Sequence, residues 1–247
     1  MAVVAVLFAI LFPLFYYFTR KEERYPKLNR LRQFWARTSS LLCGIRYHYT
    51  SESQLDWSKP YILCANHTSN LDATAMTLIS SGNYAFLGKT ELLKNPVMRV
   101  FFKTIDIPVD RSSRMASYRA FKRAAEYIQK GMSLIIFAEG KIGNEYPPVL
   151  HSFKDGPFRL AIEHKIPIVP VSILNLWEIL WDDGAKYGSK PGVAHIHIHA
   201  PIDTTTMDVA QADELKAQVY EIILNKIPYA GYQGNGATDR TISPAQL

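Results

Sequence analysis

The chain has 247 residues, of which 48% are hydrophobic and 20% charged. That length suits one full-sized α/β domain with an anchor and leaves little room for two independent domains, while the composition excludes a disordered or fibrous chain. A net charge of +6 fits an anionic partner such as a membrane surface or a phosphate-bearing substrate. No nucleic-acid partner is expected, because zinc-finger Cys/His spacing, an RNP-type aromatic motif and a basic helix with heptads are all missing.

Residues 1–18 carry no charge. As a helix they would reach about 27 Å at about 1.5 Å per residue, close to the ~30 Å hydrocarbon core. Pro13 lies inside the run, and Tyr16 and Tyr17 stand where interfacial aromatics belong. We read a spanning anchor. A re-entrant segment is the second reading, favoured by the short run and its proline. A cleaved signal peptide is the third, and it lacks a charged leading region and a small-residue cleavage site. The abruptly apolar start leaves room for a few residues upstream. Arg20, Lys21, Arg24, Lys27, Arg30, Arg32 and Arg37 follow, and this basic excess orients the body to the cytoplasmic side of the membrane. Residues 28–46 place Leu28, Leu31, Phe34, Trp35, Leu41 and Leu42 at helical spacing. They predict an amphipathic helix on the bilayer with Arg30, Arg32 and Arg37 toward lipid phosphates. A surface helix packed on the body is the alternative.

From residue 57 onward short apolar runs alternate with helix-period segments. Strands are predicted at 61–65, 84–87, 105–109, 134–137, 166–174 and 193–200, and helices at 72–81, 92–102, 113–129, 156–163 and 210–224. Lys130-Gly131 closes the helix at 113–129 as a C-cap pair. Pro167 and Pro170 make the strand at 166–174 an edge strand or a bulged one. The alternation predicts a three-layer αβα domain with a mixed, mainly parallel sheet, preceded by the membrane helix and the amphipathic helix. The division is 1–46 anchor, 47–228 domain and 229–247 flexible tail. Cys43 and Cys64 suggest neither a disulfide framework nor a Cys-based metal site, which suits a reducing compartment.

Asn66-His67-Thr68-Ser69-Asn70-Leu71-Asp72 joins the end of a buried strand to a helix start through capping residues. That places His67 where loops of α/β sheets carry sites. The turn lets Asp72 fold back to the imidazole; a carboxylate on one ring nitrogen fixes the tautomer and leaves the other free to accept a proton. An incidental His in a capping turn is the plain alternative. No nucleophile-elbow Ser or Cys occurs, so the substrate, not the protein, supplies the nucleophile.

These residues resemble the glycerolipid acyltransferases that make phosphatidic acid from 1-acylglycerol 3-phosphate, whose first signature is His-x4-Asp. The resemblance covers most of residues 55–205. It continues through Gly88-Lys89-Thr90-Glu91-Leu92, Ile105 to Arg111, Phe137-Ala138-Glu139-Gly140 with Phe153-Lys154-Asp155-Gly156, and Ile166 to Val171. It implies His67 as general base oriented by Asp72, with Arg111, Glu139 and Gly140 framing a glycerol-phosphate pocket and Lys89 and Lys154 adding charge. A guanidinium at Arg111 suits a phosphate. An ion pair of Arg111 with Asp110 or Asp106, and solvated lysines, are the plain readings. The third block departs from the family's Glu-Gly-Thr-Arg: here it is Glu139-Gly140-Lys141-Ile142, so Lys141 supplies the charge one position early. That departure bears on the identity of the acyl acceptor.

The resemblance further implies lysophosphatidic acid and membrane lipids as partners, acyl-CoA or acyl carrier protein as the thioester co-substrate, and no cofactor. Another lysolipid or glycerol 3-phosphate is the nearest alternative acceptor. A His67-dependent hydrolase and a non-catalytic lipid-binding module are the readings from other classes. His195, His197 and His199 alternate onto one strand face. At the ~6–7 Å spacing of such positions they read as a polar sheet face, with no metal.

Overall fold

The computed structural model describes residues 2–110 and 112–229. Two helices come first, α1 (Ala2–Thr19) and α2 (Tyr25–Leu42). The body follows as β1 (Ile45–Ser51), β2 (Ile62–Ala65), α3 (Asp72–Ile79), β3 (Tyr84–Lys89), α4 (Pro96–Phe102), β4 (Ile107–Val109), α5 (Arg114–Gln129) and β5 (Ser133–Phe137). It ends with α6 (Gly156–Glu163), β6 (Ile168–Ile173), the single turn α7 (Leu176–Ile179), β7 (Gly192–Ile198) and α8 (Ala212–Leu224).

The seven strands form one sheet in the order β1-β7-β6-β2-β5-β3-β4. Every pairing is parallel except β6 with β7. Alternation along the strands divides the core in two. Ile62, Cys64, Leu134 and Ile136 pack with α5, α6 and α8 on one face, and Leu63, Ala65 and Ile135 pack with α3 and α7 on the other. This is the three-layer αβα arrangement with a mixed, mainly parallel sheet.

The strand at 166–174 is no edge. β6 lies between β7 and β2; Pro167 precedes it, and Pro170 falls within a bulge. Between the pairs Val171↔Ile198 and Ile168↔Ile202 one chain advances three residues and the other four. Ile168 N donates to Ile202 O, and Pro170, next on that side with no N–H to offer, only accepts from His199 N. The helix predicted at 92–102 is divided. A 3₁₀ turn spans Thr90–Lys94, and α4 restarts because Asn95 Oδ1 accepts from Val97 N and Met98 N, with Pro96 at the first helical position.

Residues 45–51, partly assigned to the amphipathic helix, form β1. Gly44, at φ +71°, turns the chain out of α2, and a side chain there would also meet Pro191. α1 turns back on α2: Trp35 Nε1 donates to Val4 O, and Phe8, Phe15, Trp35 and Phe101 form a ring cluster with centroids 5.2–6.2 Å apart. The opposite side of α1, with Val6, Ile10, Leu14 and Tyr17, is exposed, as are Phe34, Leu41 and Leu42 of α2.

Arg32 does not face outward toward phosphates. It is buried under α2 with its guanidinium bidentate on Asp106 at 3.1 and 3.0 Å. The expected tail falls beyond the described residues except for Tyr229, which is buried in the body.

Candidate active site

β2, β5, β3 and β4 run in the same direction, so their carboxyl ends bring His67, Glu139, Lys89 and Asp110 to one edge of the sheet. At the end of β2 the chain folds a tight turn around one carboxylate. Asp72 is fully buried, and its Oδ2 accepts from Thr68 N at 2.7 Å and Ser69 N at 2.8 Å, while His67 Nδ1 lies 2.9 Å away. Asp72 N returns a bond to Ser69 O at 3.0 Å. Because three groups within six residues share that oxygen, the ring is held by the same atom that closes the turn. The His67 ring also stacks on Phe137, 4.0 Å between centroids and 13° between planes. Its side chain keeps 19% exposure, and Nε2 makes no hydrogen bond among the described residues. An imidazole with one nitrogen anchored and the other open can take up a proton at the open nitrogen.

Contacts distant in sequence fix the loop. Glu139 is buried and braced by neighbouring backbone: Oε1 accepts from His67 N at 2.7 Å and Oε2 from His151 N at 2.8 Å. Asn66 takes over the β2–β6 ladder where the strands end, its Nδ2 donating to Ile173 O at 2.9 Å and its Oδ1 accepting from Ile173 N at 2.8 Å. Asn66 Nδ2 also donates to the Tyr229 hydroxyl at 2.6 Å. The Trp181-Asp182 segment closes the other side, with Asn70 N donating to Asp182 O at 3.1 Å. Burial and the charge of Asp183 raise the Asp182 carboxyl above its ordinary range, with His67 opposing.

The sequence reading did not identify Asn66, Phe137, Asp182 or Tyr229 as site residues. Only Asn66 had a local signal, a polar residue at the end of an otherwise apolar strand next to His67.

Burial raises the Glu139 carboxyl to about 8; the two backbone N–H groups oppose the shift, and the nearby Asp72 charge adds to it. The sign differs from that of an ordinary paired carboxylate. With the folded value above the unfolded one, the folded state binds the extra proton between them. The contribution to stability is therefore full below the unfolded value of 4.5 and is lost as pH rises through about 8. We expect melting temperature to fall over that window, with a slope of at most about 1.4 kcal/mol per pH unit from this group. Glu139→Gln should flatten that slope in melts recorded from pH 5 to 8.5; an unchanged slope would assign it to other groups.

Lys89, at the end of β3, stands two strands from β2, about 10 Å across the sheet at ~4.8 Å per strand. It lines an open cleft of about 490 Å³ with Thr90, Glu91, Lys94, Val109, Asp110 and Ser112. Arg111 lies outside the described residues. Asp106, one of its suggested partners, belongs to Arg32, and Asp110 Oδ1 holds Ser112 N at 2.9 Å. Gly140 follows Glu139 in a turn with its N bonded to Phe137 O. Lys141 and Lys154 are exposed, and Lys154 is fixed through its backbone N on Ala138 O.

The three histidines, His195 and His197 in β7 and His199 just after it, sit in unlike settings. His195 is exposed beside His48, whereas His197 and His199 are buried and both approach Glu52.

Residues 45–174, more than half of the chain, match the Acyltransferase family. The chain belongs to that family. Among its relatives, an uncharacterized acyltransferase of Schizosaccharomyces pombe is 30% identical over 179 residues, covering 72% of this chain and 63% of that protein. A 1-acyl-sn-glycerol-3-phosphate acyltransferase of Saccharomyces cerevisiae is 28% identical over 210 residues, covering 84% of this chain and 68% of that protein. The chain thus spans a little under two thirds of the first relative and slightly more of the second. The crystal structure of the 1-acyl-sn-glycerophosphate acyltransferase PlsC from Thermotoga maritima superposes with a TM-score of 0.69 at 20% identity, covering 90% of this chain and 92% of that one. That likeness shows the family's fold. The matched segment begins at β1 and ends just after β6, so it contains the His67 turn and the Glu139 brace.

Proposed function

We propose that this acyltransferase moves a fatty acyl group from acyl-CoA or acyl carrier protein to the sn-2 hydroxyl of 1-acyl-sn-glycerol 3-phosphate, giving phosphatidic acid. The observation that carries the chemistry is the His67–Asp72 pair, with Nδ1 held at 2.9 Å and Nε2 open. In this reading the acceptor hydroxyl gives its proton to His67 Nε2 as its oxygen bonds to the thioester carbonyl carbon. The carbon–sulfur bond then breaks and the proton leaves with the thiolate. Asp72 stabilises the imidazolium in between. The names of the yeast relative and of the structural neighbour support the acceptor.

Lys89 and Lys94, in the cleft two strands from β2 on the same carboxyl edge of the sheet, with Arg111 next in the chain after Asp110, would take the phosphate; Lys141 and Lys154 add positive charge near the Glu139 loop. α1 has the length and mean hydropathy, 2.2, to cross a membrane. We place its exposed apolar side, with Phe34, Leu41 and Leu42, in lipid, and the domain on the cytoplasmic face. Lys141-Ile142 in place of the family's Thr-Arg favours a second reading, transfer to another lysolipid or to glycerol 3-phosphate.

Radiolabelled acyl transfer in detergent micelles tests the proposal, with acyl-CoA and acyl carrier protein supplied separately. Labelled phosphatidic acid from lysophosphatidic acid is expected with at least one donor. Product only with another lysolipid or glycerol 3-phosphate would establish the second reading in its place.

A further inference from the structure

The residues Glu52, His197 and His199 form a second cluster of chemistry-bearing side chains, on strands the acyl-transfer reaction does not use. In the parallel β1–β7 register His48 faces His195 and Thr50 faces His197, and Glu52 follows one residue after the pair Ser51↔Ile198. One face of this strand pair therefore carries successive ligand-type residues. Regular alternation would keep His197 and His199 about 6–7 Å apart. The bulge after Ile198 re-aims His199, and the two rings close to 4.6 Å between centroids. His197 Nε2 and His199 Nδ1 then converge on the same oxygen, Glu52 Oε1, at 3.0 and 2.9 Å.

We propose that Glu52, His197 and His199 bind a zinc ion that ties the end of β1 to the end of β7. The three ligand atoms lie within 4.8 Å of one another. Tetrahedral zinc with bonds of about 2.0–2.1 Å separates its ligands by about 3.3–3.4 Å, so each nitrogen–oxygen distance widens by a few tenths of an ångström and the two ring nitrogens, within 4.8 Å of each other, draw together to admit the ion. Two imidazoles and one carboxylate are a borderline-soft donor set that zinc accepts, with a fourth position for water.

The far ring nitrogens are already held. Thr50 Oγ1 lies 2.7 Å from His197 Nδ1, and Ser172 Oγ lies 2.9 Å from His199 Nε2. A hydroxyl can donate or accept, so both partners serve either tautomer. With the metal-facing nitrogens bare, Thr50 and Ser172 accept from the opposite N–H groups, which is the outer-shell support that orients metal-bound histidines. Glu52 Oε2 is separately fixed by Ala200 N at 2.9 Å, leaving Oε1 to point into the site. The buried rings supply rigid ligands, and the half-exposed Glu52 supplies the route of access. β7 is two strands from β2, so the ion would be structural and separate from His67.

The test uses the full chain in detergent, without an affinity tag, stripped with chelator and dialysed against zinc. Metal analysis should give one zinc per chain. Competition with a chromophoric chelator should give a Kd, and melting temperature should rise by about 5–10 °C at a hundredfold excess over that Kd. His199→Ala should lose the zinc and the shift. Glu52→Gln, at an exposed position that leaves the rings in place, should weaken binding at least tenfold while keeping the folded circular-dichroism spectrum. A folded native chain that takes up no stoichiometric zinc and shows no shift would overturn the proposal, leaving a histidine–carboxylate hydrogen-bond network. Zinc binding that survives in both variants would overturn it too, by assigning the ion elsewhere.

Discussion

Replacing His67 with alanine is expected to reduce acyl transfer by roughly 10²-fold or more while leaving the melting temperature nearly unchanged. The rate effect follows from the proposed proton path, because Nε2 is the open base at the carboxyl end of β2 and its loss leaves the acceptor hydroxyl without a positioned proton acceptor. The small effect on stability follows from the contacts. The ring is partly exposed, and Asp72, its hydrogen-bonding partner, keeps Thr68 N and Ser69 N after the ring is gone. Asp72→Asn separates orientation from charge. An amide oxygen can still accept from the two backbone N–H groups and from Nδ1, but it no longer faces the imidazolium with a negative charge. That variant should lose rate chiefly in kcat, with KM for the acceptor little changed. A His67→Ala chain that transfers acyl groups at the native rate would remove His67 from the chemistry. A native chain that binds lysolipid and transfers nothing would favour the lipid-binding module.

The turn at His67 was legible because it is local. Its capping residues, imidazole and carboxylate fit within Asn66 to Asp72, and the apolar run before them marks the strand end. The supports around it were not legible for the opposite reason. Glu139 reaches His67 N across 72 residues and Asn66 reaches Ile173 across 107, and only the parallel packing of β2 with β5 and β6 brings them together. The histidines at 195, 197 and 199 show the limit of periodicity in another way. Alternation correctly put them on one side of a strand, but the bulge imposed by Pro170 and the residues after Ile198 changes their spacing. In the same manner the period-2 pattern of Ile45, Tyr47 and Tyr49 was hidden behind the helical run ending at Leu41 and Leu42, with Gly44 marking the true boundary.

Arg32 is the clearest case of a residue whose partner its own helix could not reveal, and it carries the largest expected stability effect. On a helical wheel at about 100° per residue it lies well away from Arg30 and Arg37, on the side of Leu28 and Ala36 that the body covers, while those two arginines stay exposed. Arg32 grips Asp106 with two parallel hydrogen bonds, lies 4.8 Å from the Phe101 ring centroid, and Asp106 Oδ1 also accepts Phe86 N at 3.0 Å. The pair therefore joins α2 to β3 and to the loop before β4. Asp106→Ala strands a buried guanidinium and an amide donor, and the expected loss is about 3–5 kcal/mol. In a domain of this size that corresponds to a fall of about 6–20 °C in melting temperature. Adding Arg32→Met removes the unpaired charge and fills the space between the aromatic rings, so the double variant should melt above Asp106→Ala alone. If instead Arg32 were solvated at a lipid surface, Asp106→Ala would shift melting by only a degree or two and the second substitution would recover nothing. Thermal melts of the two variants beside the native chain in one detergent distinguish these cases, because only a buried pair makes the second substitution a rescue.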